Sequence, residues 1–207
     1  MSYRPTEKTE ARKKAQHALL LNSAIAIVSD SGFKNLTIAA VAERAEVAIG
    51  TVYKYFDSKA LLCSAVFRKG TEKEVRQVAL AAYPEDSQLS CKQRLLNAIA
   101  IFSERAIAGH KLAYALIAEP VDPIIEFERL SYRRAYADIF EGLIDQGIKA
   151  GEFFSQDTKI SSSALVGVLA ETLLGPIGAK TPGSLDIDQS ELISNIQDFC
   201  LRAVSKA

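Results

Sequence analysis

The stretch Thr37–Lys59, TIAAVAERAEVAIGTVYKYFDSK, reads as two short helices joined by a tight turn. Thr37 follows a break at Gly32 to Asn35 and can cap a helix, its hydroxyl accepting a backbone N–H that otherwise has no partner. Ile38, Val41, Ala42 and Ala45 recur at helical spacing and give one narrow apolar stripe. The stripe does not continue in phase past Glu46 and Val47, so a second segment runs from Ala48 to Tyr55. There Val52 and Phe56 can face inward, which leaves Ala48, Ile49, Thr51, Tyr53, Lys54 and Tyr55 for the other sides. Gly50 would cost about 1 kcal/mol relative to Ala inside an ordinary helix, so its presence points to close approach of the backbone to something. Lys54 and Lys59 can each neutralise a phosphate, and tyrosine and threonine hydroxyls can donate to phosphate oxygens. The pattern is that of a helix-turn-helix, although spacing alone leaves open a helical hairpin whose tyrosines belong to the core.

The order Gly32-Phe33, Leu36-Thr37-Ile38, Val41-Ala42, Ala45, Val47, Gly50-Thr51-Val52-Tyr53, Tyr55-Phe56 and Ser58-Lys59 resembles the N-terminal DNA-binding domain of TetR-family transcriptional regulators. Its most specific part is the run GTVYKYFDSK. The resemblance implies that Thr37 opens a helix crossing the DNA backbone and touches phosphate. It implies that Ala48, Ile49, Gly50, Thr51 and Lys54 approach bases, that Tyr53 and Tyr55 bind phosphate, and that Lys59 does so from the start of the next helix. Glu46 departs from the family, which usually has glycine in the turn. A glutamate there would be strained in left-handed backbone, and its charge would repel nearby phosphate. The turn is expected nonetheless.

The rest of the chain supports one compact DNA-binding unit and a larger helical one. The 207 residues, 48% of them hydrophobic, allow one or two domains with a substantial core. Net charge is zero, yet residues 1–60 carry 9 Lys and Arg against 6 Asp and Glu, so the basic excess lies where the motif does. The expected division is 1–57, with a loose arm over 1–10 containing Arg4 and Pro5, and 58–207. Lys8, Arg12, Lys13 and Lys14 near the start can reach phosphate or a minor groove, or can simply be solvated. Cys63, Cys91 and Cys200 are too few and scattered for a disulfide framework or a metal site, which suits a reducing cytoplasm. No signal peptide is expected, and Glu171, Gly175 and Pro176 interrupt the most apolar stretch, Ala164 to Ala179, so no membrane span is expected either.

Helical periodicity continues along the chain. A first helix is expected over Ala11–Asp30, ended by Ser31-Gly32 with glycine at the left-handed cap. Asp57 or Ser58 caps a helix reaching about Ala82, and a loop from Tyr83 to Ser90 contains Asp86. Helices follow over Cys91–Ala108, Leu112–Ala118, from Asp122-Pro123 to about Ala150, and from Asp157 to about Leu174. A Gly- and Pro-rich loop spans Gly175 to Ser184, and a last helix carries Leu192, Ile196, Phe199 and Ala203. No segment alternates as a strand would. The fold class is therefore all-α with about nine helices: a three-helix N-terminal domain containing the helix-turn-helix, and a larger helical ligand-binding and dimerisation domain.

The last two long helices have apolar faces wider than one core needs, and a lone helix-turn-helix reads few base pairs, so a homodimer is expected. The resemblance agrees, implying pairing through those two helices. The middle helices offer Phe102, Tyr114, Ile117, Phe127, Tyr132, Tyr136 and Phe140 near Arg105, Arg133, His110 and Glu119. That mixture suits a small-molecule pocket, although an aromatic stripe also suits plain core. By resemblance an effector would bind there and lower DNA affinity. The pocket assignment takes Phe102, Arg105, Tyr114, Ile117, Glu119, Phe127, Tyr132, Tyr136 and Phe140. No spacing for a nucleophile and base, a carboxylate pair, a phosphate-cradling loop or a metal cluster is present, so neither catalysis nor a cofactor is expected. The expected function is a dimeric DNA-binding regulator, a repressor released by a small molecule; an activator or a protein-controlled co-regulator of the same fold is the alternative.

Overall fold

The computed structural model describes residues 7–85, 88–178 and 188–205. Arg4 and Pro5 of the expected arm, Asp86, and the loop beyond 178 lie outside the described residues. Nine α-helices are found among those described: α1 Glu7–Ser31, α2 Ile38–Arg44, α3 Ile49–Tyr53, α4 Lys59–Ala82, α5 Cys91–Ala108, α6 His110–Ile117, α7 Pro123–Lys149, α8 Thr158–Ile177 and α9 Gln189–Val204. A 3-10 turn, Phe33–Asn35, links α1 to α2. The fold is all-α, and its extended pairing among the described residues is a single bridge between Phe153 and Ser205.

Local chemistry sets most boundaries. Thr37 caps α2 by accepting the Ala40 N–H at 3.1 Å, Ser58 caps α4 through Leu61 at 3.2 Å, and Asp157 caps α8 through Lys159 and Ile160 at 3.0 Å. Pro123 opens α7, where its missing N–H would have had no helical acceptor. Four boundaries differ from expectation by two residues or more, one of them the start of α6 at His110 instead of Leu112. Residues 7–10, assigned to the arm, are helical, with Glu7 and Glu10 placed favourably at the positive end of α1. The α3 helix proper is only Ile49–Tyr53, and tighter turns carry the chain on to Phe56. Helix α8 runs through Gly175 and Pro176 to Ile177, because a proline in the last turn removes only one backbone hydrogen bond.

Among the described residues two hydrophobic clusters form the core. One joins Leu20, Val28, Leu36, Val41, Val52 and Phe56 to Leu62, Val66 and Phe67 of α4, and also takes in Leu116 of α6 and Ile125 of α7. The other gathers Val78 and Ala82 of α4 with Leu95, Ile99, Phe140, Ile144, Leu165, Leu169, Ile196 and Cys200. The two clusters meet midway along α4, which contributes to both. All three cysteines are buried and unpaired, and burial pushes the Cys200 thiol up to about 12.

The turn between α2 and α3 forms despite its glutamate. Val47 N–H donates to the Ala42 carbonyl at 2.9 Å and Glu46 N–H to that of Glu43 at 3.1 Å, which is a Schellman cap. Glu46 occupies the left-handed position at φ 54, where Gly151 (φ 74) serves the same motif at the end of α7. Glu46→Gly is expected to stabilise the protein by roughly 0.5–1 kcal/mol, since left-handed strain is relieved at some cost in unfolded-chain entropy. Thermal unfolding checks this: a rise in midpoint of about 1–4 °C is expected, and a fall would refute it.

Candidate nucleic-acid interface and effector cavity

Val52 and Phe56 hold α3 against the core, with 0% and 5% exposure, so its other side faces out. On that side Ile49 is 51% and Tyr53 50% exposed, and Ala48, Gly50 and Lys54 are exposed with them. Thr51 and Tyr55 are half-buried at its edges, Thr37 is exposed at the start of α2, and Lys59 is exposed in the first turn of α4. A Cβ at Gly50 would meet nothing within 4 Å, so packing inside the chain does not require glycine there. The exposed isoleucine and tyrosine, with two lysines nearby, form a surface suited to a groove lined by phosphates.

A cavity of about 120 Å³ lies between α4, α5, α6, α7 and α8. It separates the two core clusters: Phe67 and Leu116 of one and Val78, Ala106 and Val166 of the other line it. Of the residues assigned to a pocket, Phe102, Arg105, Ile117, Tyr132 and Tyr136 meet on its wall. Four do not. Phe140 is fully buried in the larger core, and Phe127 is 71% exposed on the outer face of α7. Tyr114 is 38% exposed outside the wall, and the Glu119 carboxylate is drawn away to backbone N–H groups.

The wall is apolar apart from the Thr71 hydroxyl, which donates to the Phe67 carbonyl, two tyrosines and a set of charged groups. Arg105 on α5 makes a two-pronged pair with Glu74 on α4, its Nη2 2.9 Å from Oε1. Burial raises the pKa of the Tyr136 hydroxyl, and nearby Glu74 adds to the rise, so the group stays a neutral donor; its ring stands edge-on to Phe102 at 5.1 Å. Tyr132 is pushed up to about 12 by burial and by Glu72 and Glu128. Arg129 and Arg133 complete the charged set, which makes three arginines against one glutamate.

Arg129 is the residue that sequence reasoning did not single out. It is 7% exposed and holds the end of α6: Nε donates to the Leu116 carbonyl at 2.9 Å, and Nη2 donates to those of Glu119 at 2.7 Å and Ala115 at 3.4 Å. Its Nη1 meets Glu126, and its carbon lies 6.0 Å from the Phe67 ring centroid. Desolvation lowers its pKa, opposed by Glu126 and reinforced by Arg133. A readable signal existed, since Arg129 falls in phase with Ile125, Tyr132, Tyr136 and Phe140 on the inward stripe of α7.

Glu119, just past α6, reaches the DNA-binding side. Its Oε2 accepts the Phe33 N–H at 2.9 Å and its Oε1 the Lys34 N–H at 3.0 Å, the otherwise unpaired donors of the 3-10 turn before α2. The cavity wall, Arg129, the end of α6, Glu119 and the segment leading into α2 are thus one connected set of hydrogen bonds.

Residues 20–66 match the profile of the family described as bacterial regulatory proteins, tetR family. The chain is 21% identical over 167 residues to the fatty acid metabolism regulator protein of Bacillus subtilis (strain 168), covering 78% of this chain and 84% of that one. It is 44% identical over 62 residues to the HTH-type transcriptional repressor KstR of Mycolicibacterium smegmatis, a match spanning 30% of each chain. Its fold matches the crystal structure of the transcriptional regulator FadR from Bacillus subtilis in complex with stearoyl-CoA, with a TM-score of 0.75 and 17% identity, over 90% of this chain and 98% of that one. Residues 20–66 thus carry a DNA-binding domain of the bacterial tetR regulatory family, and over most of its length the chain is similar to bacterial transcriptional regulators of this fold.

Proposed function

We propose that the protein is a repressor that binds a palindromic operator in the cytoplasm as a homodimer and is released by an apolar effector with an anionic end. The observation that carries this reading is the hydrogen-bonded connection from the cavity wall through Arg129 and Glu119 to the turn before α2. A ligand that binds one arrangement of α6 better than another shifts the balance between DNA-competent and released forms by its differential affinity alone.

In this reading 1–57 is the DNA-binding unit and 58–207 the effector and dimer unit. Ala48, Ile49, Gly50, Thr51 and Lys54 face bases, while Thr37, Tyr53, Tyr55 and Lys59 hold phosphates. Pairing through α8 and α9 is supported by their outer faces, where Ile160 is 69% and Phe199 54% exposed beside Ala164 and Gly167. Two-fold pairing sets two recognition helices about 34–36 Å apart, in successive major grooves.

The wall chemistry supports the effector class. Arg133 is exposed at the cavity and pairs with no carboxylate among the described residues, so an anion there gains a partner. The FadR neighbour is in complex with stearoyl-CoA, likewise an apolar chain with an anionic carrier. A cavity of about 120 Å³ is smaller than an engineered one of about 150 Å³ that takes benzene. It suits a ring or short chain and would have to widen for a long acyl group.

Selection of bound duplexes from a random pool, then titration of the enriched duplex with carboxylates, their amides and acyl-CoA thioesters of rising length, tests the reading. The expected result is a palindrome held by two protomers and released by the anionic apolar compounds. No enrichment overturns the DNA reading, a single unpaired half-site overturns the homodimer, and equal release by the amides overturns the anionic effector. Release by the thioesters and not by the free acids assigns the charge to the carrier.

A further inference from the structure

Away from the cavity, Lys13, Lys14 and His17 of α1 and Lys54 and Tyr55 at the end of α3 line an open groove beside the recognition helix. Positions 13, 14 and 17 share one face of α1, one turn apart. The His17 ring lies 5.0 Å from that of Phe56 and 6.3 Å from that of Tyr55, which seats this part of α1 on the end of the helix-turn-helix. Phe56 is buried, so the floor of the groove is fixed to the core. Among the described residues no carboxylate lines the groove. Glu10, the acid paired with Lys13, is 3.8 Å from its Nζ in an exposed pair that contributes little.

We propose that this groove binds the sugar-phosphate backbone of duplex DNA flanking the bases read by α3, making α1 a second DNA-contacting element. The proposal rests on the DNA-binding reading above. Lys54 belongs both to the exposed side of α3 and to the groove, so a strand whose bases meet Ile49 and Lys54 continues past Lys13 and Lys14. Two lysines at one place on a rigid helix neutralise adjacent phosphates and release their counterions, which adds affinity without sequence preference. The hydroxyl of Tyr55 adds a donor on the opposite wall.

The test is fluorescence anisotropy of the full chain on a labelled duplex of arbitrary sequence across a salt series, for wild type, Lys13→Ala/Lys14→Ala, and Lys149→Ala/Lys159→Ala. The last pair removes the same charge from exposed positions remote from the groove. Each phosphate contact contributes about 0.9 to the slope of log affinity against log salt, so the groove variant is expected to lose roughly 1.8 per bound protomer. The remote variant keeps the wild-type slope. An unchanged slope in the groove variant, or an equal loss in the remote one, overturns the proposal. If wild type itself fails to bind any duplex at low salt, the DNA-binding reading falls and the proposal with it.

Discussion

Gly32→Ala is expected to destabilise the protein by about 3–5 kcal/mol, a large share of the 5–15 kcal/mol typical of a folded domain. Gly32 has φ 77 and ψ 174, a region that residues with a Cβ scarcely enter. The added methyl would also lie 2.7 Å from Glu119 Oε2 and 2.9 Å from Oε1. The carboxylate cannot retreat without leaving the Phe33 and Lys34 N–H groups, so strain and loss of two charge-assisted hydrogen bonds come together. Urea unfolding measures the effect. A cycle with Glu119→Ala separates the two causes, because removing the carboxylate removes the clash and leaves only backbone strain. Strict additivity would show that the two residues do not meet as described.

Arg129→Met is expected to cost about 2–4 kcal/mol and to weaken DNA binding in the absence of effector. Methionine keeps most of the volume, but the carbonyls of Ala115, Leu116 and Glu119 lose their donor in a place that water reaches poorly. The desolvation already borne by the guanidinium keeps the figure below the sum of its hydrogen bonds. With α6 no longer held, Glu119 loses its fixed position against the turn before α2. Denaturant unfolding and DNA affinity are measured together. A variant that unfolds earlier but binds DNA as wild type does, at a temperature where both are folded, would confine Arg129 to a structural role.

The regulatory fold was readable because its signals are local. Thr37 as a cap, Val52 and Phe56 four apart, Ser58 before α4, Asp122 followed by proline and Asp157 before α8 each act within one turn of helix, and each acts as its chemistry indicates. The turn was readable too, from the break in helical phase at Glu46 and Val47, and it forms despite the left-handed strain at Glu46.

The cavity was legible only in part, since helical phase states that a side chain points inward but not what it meets there. Tyr136 and Phe140 share one stripe on α7, yet one faces the void and the other lies deep in the core. Phe127 looks as apolar as either and is left exposed. Glu119 had the charge of a pocket residue, but the two N–H groups that claim it are 85 and 86 residues earlier in the chain. Arg129 likewise acquires its role from carbonyls at the end of another helix. Short-range capping and periodicity therefore dictated the helices and the helix-turn-helix. The arrangement of those helices decided which inward residues surround empty space and which polar groups connect that space to the DNA-binding surface, because both depend on partners distant in the chain.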